Sequence, residues 1–215
     1  MKGYKAAILI IAIILIDQVL KIWVKTHMVL GQEFIITNWF RIHFTENPGM
    51  AFGMMLPGVW GKLLLSGFRL VAVAGGIWYL SKVIKEGAHW GFVTAVSMIL
   101  AGAMGNMIDG TFYGVMFSES YTHVAQFMPA QGYAGWMQGL VVDMLWFPLF
   151  HGFFPEWVPI WGGEYFEFFR FIFNIADASI TIGVVIILLF QGVFFAHEAK
   201  ATEPVATTPE EPTAP

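Results

Sequence analysis

AAILIIAIILIDQVLKIWV, residues 6–24, is long and apolar enough to cross the hydrocarbon core of a bilayer, which needs about 20 residues. The sequence predicts three further spans of this kind, at residues 63–81, 90–108 and 171–195. Hydrophobic residues make up 57% of the 215-residue chain and charged residues 12%, about half the charged share of an average soluble domain. These values exclude a soluble globular enzyme and indicate an all-α integral membrane protein with one membrane-embedded domain over residues 1–200.

Charge, cysteine and histidine content narrow the function further. The formal net charge is −4 and the sequence has no basic patch, which argues against a nucleic-acid-binding protein. The absence of cysteine excludes disulfides, thiolate metal sites and a cysteine nucleophile. The six histidines lack the spacing of metal ligands, so neither a metal nor another cofactor is expected.

Basic residues near the span ends predict the orientation in the membrane. Lys2, Lys5, Lys82 and Lys85 fall in short segments on one side, and such a density of positive charge is typical of the cytoplasmic side. Both termini are therefore expected in the cytoplasm. Residues 201–215 are rich in Pro, Thr and Glu and are predicted to form a disordered cytoplasmic tail.

Two segments remain on the outer side, and both are predicted to be structured. Trp39–Thr45 alternates apolar and polar residues, which is the period of a half-buried strand. Asn47-Pro48-Gly49 then predicts a turn. Residues 146–173 contain thirteen aromatic residues, a composition typical of a surface in the lipid headgroup region.

Several polar residues fall at membrane depth, where ionisable groups are costly and usually functional. Asp17 and Lys21 are four residues apart on one helix face, which favours a structural ion pair over a direct catalytic role. Arg69 is expected to snorkel to the interface or to bind a carboxylate from another span. Asn106 and Asn174 are expected to hydrogen-bond between helices.

Asp143 and Asp177 have no cationic residue next to them in the sequence, and they are therefore candidates for a functional site. Asp143 follows an apolar run that is expected to re-enter from the outer side, and Asp177 lies about one turn into the fourth predicted span. Two carboxylates held together in apolar surroundings cannot both ionise, so they share a proton. The pair fits two hypotheses: the acid and base of an aspartic protease, or a proton relay or ion-binding pair in a transporter.

Five motifs follow one another along the chain. They are Asp17-x-x-x-Lys21, Asn47-Pro48-Gly49-Met50-Ala51-Phe52, Gly102-x-x-Gly105-Asn106-x-x-Asp109, Val141-Val142-Asp143 and Phe173-Asn174-Ile175-Ala176-Asp177-x-x-Ile180. In this order and across four predicted spans they resemble the lipoprotein signal peptidases, the bacterial signal peptidase II family, over residues 8–195.

The resemblance implies a four-helix membrane aspartyl protease with a small extracytoplasmic β-cradle and an interfacial amphipathic helix. It implies removal of the signal peptide from prolipoproteins by cleavage before the diacylglyceryl-modified cysteine, in the bacterial cytoplasmic (inner) membrane and near its extracytoplasmic face. Membrane lipids and globomycin-type cyclic peptide inhibitors are further implied partners. The two catalytic aspartates of the family map onto Asp143 and Asp177. Positions that support the site map onto Asp17, Lys21, Asn47, Gly49, Ala51, Phe52, Gly105, Asn106, Asp109, Asn174 and Ala176.

One departure from the family pattern concerns an arginine. The family commonly has Arg directly after the Asp of its third motif, whereas Gly110 follows Asp109 here. Arg69 and Arg170 are the candidates to replace it. A second departure is the long stretch of residues 110–139.

Two other functions remain as alternatives. A small proton- or cation-coupled transporter subunit would use the same carboxylates, although the sequence has neither an internal repeat nor a pair of interrupted helices. In a non-catalytic membrane assembly factor the polar residues would only specify packing.

Overall fold

The structure is a computed structural model that describes residues 2–49 and 58–202, with side chains described as far as Phe194. It contains four helices that are long and apolar enough to span a membrane. α1 is Gly3–His27, α2 is Gly58–Lys85 and α3 is Trp90–Ile108. A π-helical turn, Asp109–Tyr113, and the short α4, Gly114–Met116, continue the third span, and α5, Ile175–Thr202, forms the fourth.

A four-stranded antiparallel sheet packs against α1 and the π-helical turn. Its strands are β1, Glu33–Thr37, β2, Phe40–Asn47, β3, Val141–Trp146, and β6, Ile172–Phe173, in the order β1-β2-β3-β6. The strand predicted over Trp39–Thr45 is confirmed as β2. The sheet thus brings together segments that lie about a hundred residues apart, as in the pairing of Thr45 with Asp143.

The apolar run before Asp143, which is expected to re-enter from the outer side, forms β3, one of the two inner strands of the sheet. Val141, Val142, Asp143 and Met144 are all buried, which explains the unbroken apolar sequence of the strand. A short apolar run of this length fits a buried strand or a buried helix equally well until its partners are known.

The fourth span also begins later than expected, at Ile175 rather than at Phe171. Ile172 and Phe173 pair with Trp146 and Leu145 as strand β6, and their backbone groups are therefore committed to the sheet. The other end of this helix continues to Thr202. The rest of the predicted tail, residues 203–215, lies outside the described residues.

The aromatic segment forms a separate hairpin of β4, Phe150–Phe153, and β5, Tyr165–Phe168. Phe150 stacks on Phe168 with ring centroids 4.5 Å apart. At the tip, Trp157 and Ile160 are more than three-quarters exposed. No interfacial amphipathic helix occurs within residues 2–49 and 58–202, where the segments between the spans are strands, turns and the short continuation of α3.

Small residues let α3 and α5 pack closely at Gly102 and Gly105. A Cβ atom at Gly102 would lie 2.2 Å from the backbone oxygen of Ala176. A Cβ atom at Gly105 would lie 2.8 Å from Oδ2 of Asp17 and 3.1 Å from Cβ of Ala176. These contacts hold the start of α5 against the polar end of α3.

Candidate active site

All four aspartates of the chain lie in one polar network where α1, α3 and α5 meet the sheet. The network has two parts. The first, which we call the Lys21 cluster, consists of Asp17, Lys21 and Asp109. The second, which we call the amide-bound pair, consists of Asp143 and Asp177.

The Lys21 cluster is built around one buried ammonium group. Lys21 Nζ lies 2.8 Å from Oδ2 of Asp17 and 2.8 Å from Oδ2 of Asp109, and all three side chains are at most 1% exposed. The expected pairing of Asp17 with Lys21 on one helix face is therefore confirmed, and Asp109 at the end of α3 joins it. A single cation is shared by two carboxylates from different helices.

The carboxylates of this cluster also hold backbone groups in place. Asp17 Oδ1 accepts a hydrogen bond from the backbone N–H of Ala176, 2.9 Å away, at the start of α5. Asp109 Oδ2 accepts one from the backbone N–H of Val142, 3.3 Å away, on β3. The Lys21 cluster thus fixes the backbone one residue before Asp143 and one residue before Asp177.

Asp143 is 2% exposed and is held by two side-chain amides. Asn174 Nδ2 donates to its Oδ1 at 2.6 Å, and Asn47 Nδ2 donates to its Oδ2 at 3.2 Å. Asn47 reaches Asp143 because β2 pairs with β3 and places both residues on the same face of the sheet. Asn174 reaches it because β6, on the other side of β3, ends one residue earlier.

Asp177 lies in the first turn of α5 and is half-buried. Asn106 Nδ2 donates to its Oδ1 at 2.7 Å, and the backbone N–H of Asn174 lies 3.4 Å from its Oδ2. The side-chain oxygen of Asn174 in turn accepts from the backbone N–H of Asp177 at 2.9 Å, which caps the helix. Asn174 therefore contacts both carboxylates of the amide-bound pair.

Asn106 connects the two parts of the network. Its Oδ1 accepts from Lys21 Nζ at 2.9 Å and from Asn174 Nδ2 at 3.1 Å, while its Nδ2 donates to Asp177. The hydrogen bonds between helices expected for Asn106 and Asn174 are thus confirmed. Both amides have a fixed orientation, because each oxygen faces donors and each nitrogen faces acceptors.

The electrostatics of the amide-bound pair differ from those of the Lys21 cluster. In the described part of the chain, no Lys, Arg or His nitrogen lies within salt-bridge distance of Asp143 or Asp177. Burial and, to a smaller extent, the charge of Asp177 raise the pKa of Asp143 to about 7, although the amides of Asn47 and Asn174 and the charge of Lys21 lower it. At neutral pH, Asp143 is therefore poised to hold or release a proton.

Arg69 and Arg170, the candidates to replace an arginine absent at position 110, lie in different surroundings. Arg170 is exposed. Arg69 donates from Nη2 to the backbone oxygen of Gly49 at 2.7 Å, rather than to a carboxylate as expected. A Cβ atom at Gly110 would lie 3.2 Å from Nη1 of Arg69, so the guanidinium occupies the space beside that glycine.

Three residues of the network were not identified from the sequence. Gln18 Nε2 donates to Asp109 Oδ1 at 2.9 Å, and Tyr113 donates to Gln18 Oε1. Lys25 is fully buried, forms an ion pair with Glu46 and lies over the rings of Phe44, Phe117 and Tyr133. Lys25 follows Asp17 and Lys21 at four-residue spacing, and this helical period is the signal that would have located it.

The remaining expected site residues fall into two groups. Gly49 adopts φ of +91° directly after the Asn47-Pro48 turn, and Gly105 and Ala176 lie at the contact of α3 with α5. Ala51 and Phe52 lie outside the described residues. Within residues 2–49 and 58–202, no three His, Asp or Glu side chains are grouped so that they could hold a metal ion.

The arrangement supports general acid–base chemistry on a water molecule. One carboxylate that keeps a proton near neutral pH stands beside a second that accepts hydrogen bonds from amides. Such a pair can remove a proton from water and donate another to a reacting oxygen or nitrogen.

Comparisons with known proteins identify relatives of the chain. The chain matches the family described as "Signal peptidase (SPase) II" over residues 9–194. It is 48% identical over 217 residues to a lipoprotein signal peptidase of Porphyromonas gingivalis (strain ATCC BAA-308 / W83), a match that covers 99% of the chain and 95% of that protein. A lipoprotein signal peptidase of Amoebophilus asiaticus (strain 5a2) is 36% identical over 203 residues, 92% of the chain and 82% of that protein.

A solved structure also resembles the fold. It is described as a bacterial membrane enzyme structure obtained by the in meso method at 1.9 Å resolution. The match has a TM-score of 0.57 at 24% sequence identity and covers 87% of the chain and 92% of the solved one. At this identity the likeness concerns the fold alone.

Proposed function

The chain belongs to the signal peptidase II family of membrane peptidases, and we propose that it is an aspartic endopeptidase that cleaves prolipoproteins immediately before the diacylglyceryl-modified cysteine. The observation that carries this proposal is the amide-bound pair. Asp143 and Asp177 share Asn174 as a hydrogen-bonding partner, and neither is neutralised by a cation in the described residues.

The two carboxylates have distinct roles in the proposed reaction. Asp177 acts as the base: it takes a proton from a water molecule, whose oxygen attacks the scissile carbonyl carbon. Asp143 acts as the acid and protonates the carbonyl oxygen, which gives a tetrahedral diol. When the C–N bond breaks, a proton passes to the leaving amine, so that one water molecule is consumed for each peptide bond cleaved.

This division of roles sets a pH dependence. Because burial and the neighbouring carboxylate raise the pKa of Asp143 to about 7, the acid loses its proton as the pH rises through that value. Activity should therefore fall above about pH 7, where Asp143 is ionised. A mechanism that needs one acid and one base gives a bell-shaped pH profile.

The membrane setting of the proposed reaction follows from the four spans. We place the enzyme in the bacterial inner membrane as one domain over residues 1–200, with both termini in the cytoplasm and the sheet on the extracytoplasmic face. In this orientation the sheet is the β-cradle, and the aromatic hairpin of β4 and β5 lies in the outer headgroup region. A lipid-anchored substrate then reaches Asp143 and Asp177 by lateral diffusion in the bilayer.

The proposal is tested with purified protein and a synthetic prolipoprotein peptide that carries a diacylglyceryl-modified cysteine. Mass spectrometry should detect a product that begins with the modified cysteine, and the same peptide with an unmodified cysteine should be cleaved far more slowly. Globomycin should stop the reaction. Cleavage at another bond, or equal cleavage of the unmodified peptide, would contradict the proposed specificity.

None of the contacts among the described residues specifically supports the transporter or the assembly-factor hypothesis. The polar residues of the network hydrogen-bond to one another and to backbone groups of the sheet, and family membership supports a peptidase activity. If purified protein leaves the diacylated peptide intact but moves protons or cations across a liposome membrane, the transporter hypothesis would replace the proposed function.

A further inference from the structure

The guanidinium group of Arg69 binds the turn that carries Asn47. It projects from α2, is half-buried and donates from Nη2 to the backbone oxygen of Gly49 at 2.7 Å. A Cβ atom at Gly49 would lie 2.5 Å from Nη2 and 2.8 Å from Nη1. Position 49 therefore requires glycine for two reasons: its backbone has a positive φ, and a side chain there would meet the guanidinium group of Arg69.

The turn held by Arg69 is connected to Asp143 by two hydrogen bonds. The backbone N–H of Gly49 donates to Asn47 Oδ1 at 2.8 Å. Because its oxygen is engaged in this way, the amide of Asn47 presents its nitrogen to Asp143 Oδ2, 3.2 Å away. The chain of contacts thus runs from Arg69 through Gly49 and Asn47 to the carboxylate that we assign as the acid.

The guanidinium also lies against the end of the third span. A Cβ atom at Gly110 would come within 3.2 Å of Nη1 of Arg69 and would have no other atom nearer than Ser66 Oγ at 3.9 Å. Asp109 and Asp177 are the carboxylates whose charges act on the Arg69 side chain. Gly110 therefore provides the space in which a cation from α2 faces the network.

We propose that Arg69 is a positioning residue for peptide cleavage, which acts by holding the Asn47–Gly49 turn against Asp143 and by occupying the space beside Gly110. This inference rests on the proposed function. Arg69 and Gly110 act together: the absence of a side chain at position 110 leaves room for the guanidinium group of Arg69.

Replacement of Arg69 by Met should lower kcat by about 10- to 100-fold, because loss of a positioning contact misplaces the reacting groups. KM should change far less, since the substitution leaves the membrane-facing surface intact. Because the hydrogen bond from Asn47 lowers the pKa of Asp143, release of the turn should also shift the alkaline limb of the pH–rate profile to higher pH. Arg69→Lys should lower kcat less than Arg69→Met, because an ammonium group can still donate to the backbone oxygen of Gly49 but lacks the planar fork.

The coupling between Arg69 and Gly110 is tested by a double-mutant cycle. Gly110→Ala should lower kcat in the wild-type background, because the added methyl group pushes against Nη1 of Arg69. In the Arg69→Met background the same change should have almost no further effect, because the space is vacant. Gly67→Ala is the matched control, since a Cβ atom there meets nothing within 4 Å. It should leave kcat unchanged in both backgrounds.

Three results would overturn the inference: a wild-type kcat for Arg69→Met, effects of Arg69→Met and Gly110→Ala that simply add, or an equal loss for Gly67→Ala. If Arg69→Met does not fold, Gly110→Ala alone decides, because unchanged kcat and an unchanged pH profile contradict the proposed contact. A wild-type protein that does not cleave the diacylated peptide would instead contradict the proposed function before any variant is compared.

Discussion

The Lys21 cluster and the amide-bound pair contain the same residue type in opposite electrostatic settings. In the Lys21 cluster, two aspartates share a buried ammonium group at 2.8 Å from each. In the amide-bound pair, Asp143 and Asp177 accept hydrogen bonds from neutral side-chain and backbone amides. The two parts are joined through the single side chain of Asn106.

From this difference we infer a structural role for the Lys21 cluster and a catalytic role for the amide-bound pair. A carboxylate beside a fixed cation is stabilised in its charged form, in which it accepts hydrogen bonds from backbone N–H groups. A buried carboxylate without a cation keeps its proton to higher pH, which is the property that an acid catalyst needs. The comparison therefore predicts that changes in the two parts have different consequences.

The largest effect is expected for the amide-bound pair. Asp143→Asn and Asp177→Asn should each lower turnover of a diacylated peptide by about 100- to 10,000-fold, because an amide can serve neither as acid nor as base. The double variant should be no worse than either single one, since the two residues act as a unit. Glu119→Gln, which changes an exposed carboxylate on the outer segment, is the control and should be silent. Substantial cleavage by either Asn variant would contradict the roles proposed for Asp143 and Asp177.

Breaking the Lys21 cluster should instead reduce the yield of folded protein. Lys21→Met leaves two buried carboxylates without their cation, and loss of one partner of a buried ion pair costs about 3–5 kcal/mol. The double change Asp17→Asn with Lys21→Met should recover part of the yield. Size-exclusion profiles give the folded fraction, and turnover is measured on that fraction. A Lys21→Met variant that folds normally but is inactive would place Lys21 in the chemistry.

A smaller loss of turnover is expected for Asp109→Asn. This variant tests most directly whether the Lys21 cluster and the amide-bound pair have separate roles. Asp109→Asn keeps an oxygen that can accept from Gln18 or Val142, and it does not touch Asp143 or Asp177. Turnover should fall by about 10-fold through displacement of β3 and should remain measurable. Inactivity as complete as that of Asp143→Asn, in a well-folded protein, would show that the division into two parts is wrong.

The smallest effect is expected outside both parts. Truncation after Thr202 removes a Pro- and Glu-rich segment without aromatic residues, and such a segment can bury little apolar surface. Turnover should stay within about 2-fold of the full-length value. The match to the family, which ends at residue 194, agrees with this expectation. A large loss in a well-inserted truncated protein would assign the tail a role in cleavage.

The local part of this architecture could be predicted from the sequence. Unbroken apolar runs indicate the spans, alternation indicates β2, and four-residue spacing on one helix indicates the pair of Asp17 and Lys21. Unpaired aspartates at the end of apolar segments also identify Asp143 and Asp177 as candidates. In each case the signal lies within about ten neighbouring residues.

What could not be predicted depends on partners far away in the chain. The run before Asp143 is a strand only because β2 and β6 flank it, and the same pairing delays the start of α5 to Ile175. Contacts of Arg69 with Gly49 and of Lys25 with Glu46 join residues that are about twenty positions apart in the chain. The spacing of neighbouring residues in the sequence does not indicate these contacts.

The central claim is that Asp143 holds a proton near neutral pH, and it can be measured directly. Aspartate labelled with carbon-13 at its side-chain carboxyl gives only four signals in this chain, which can be followed by NMR as the pH is raised. Because burial and Asp177 raise the pKa of Asp143 to about 7, one signal should titrate near that pH and be absent from Asp143→Asn. Four carboxylates that are all ionised from about pH 5 upward, like free aspartate, would contradict the claim.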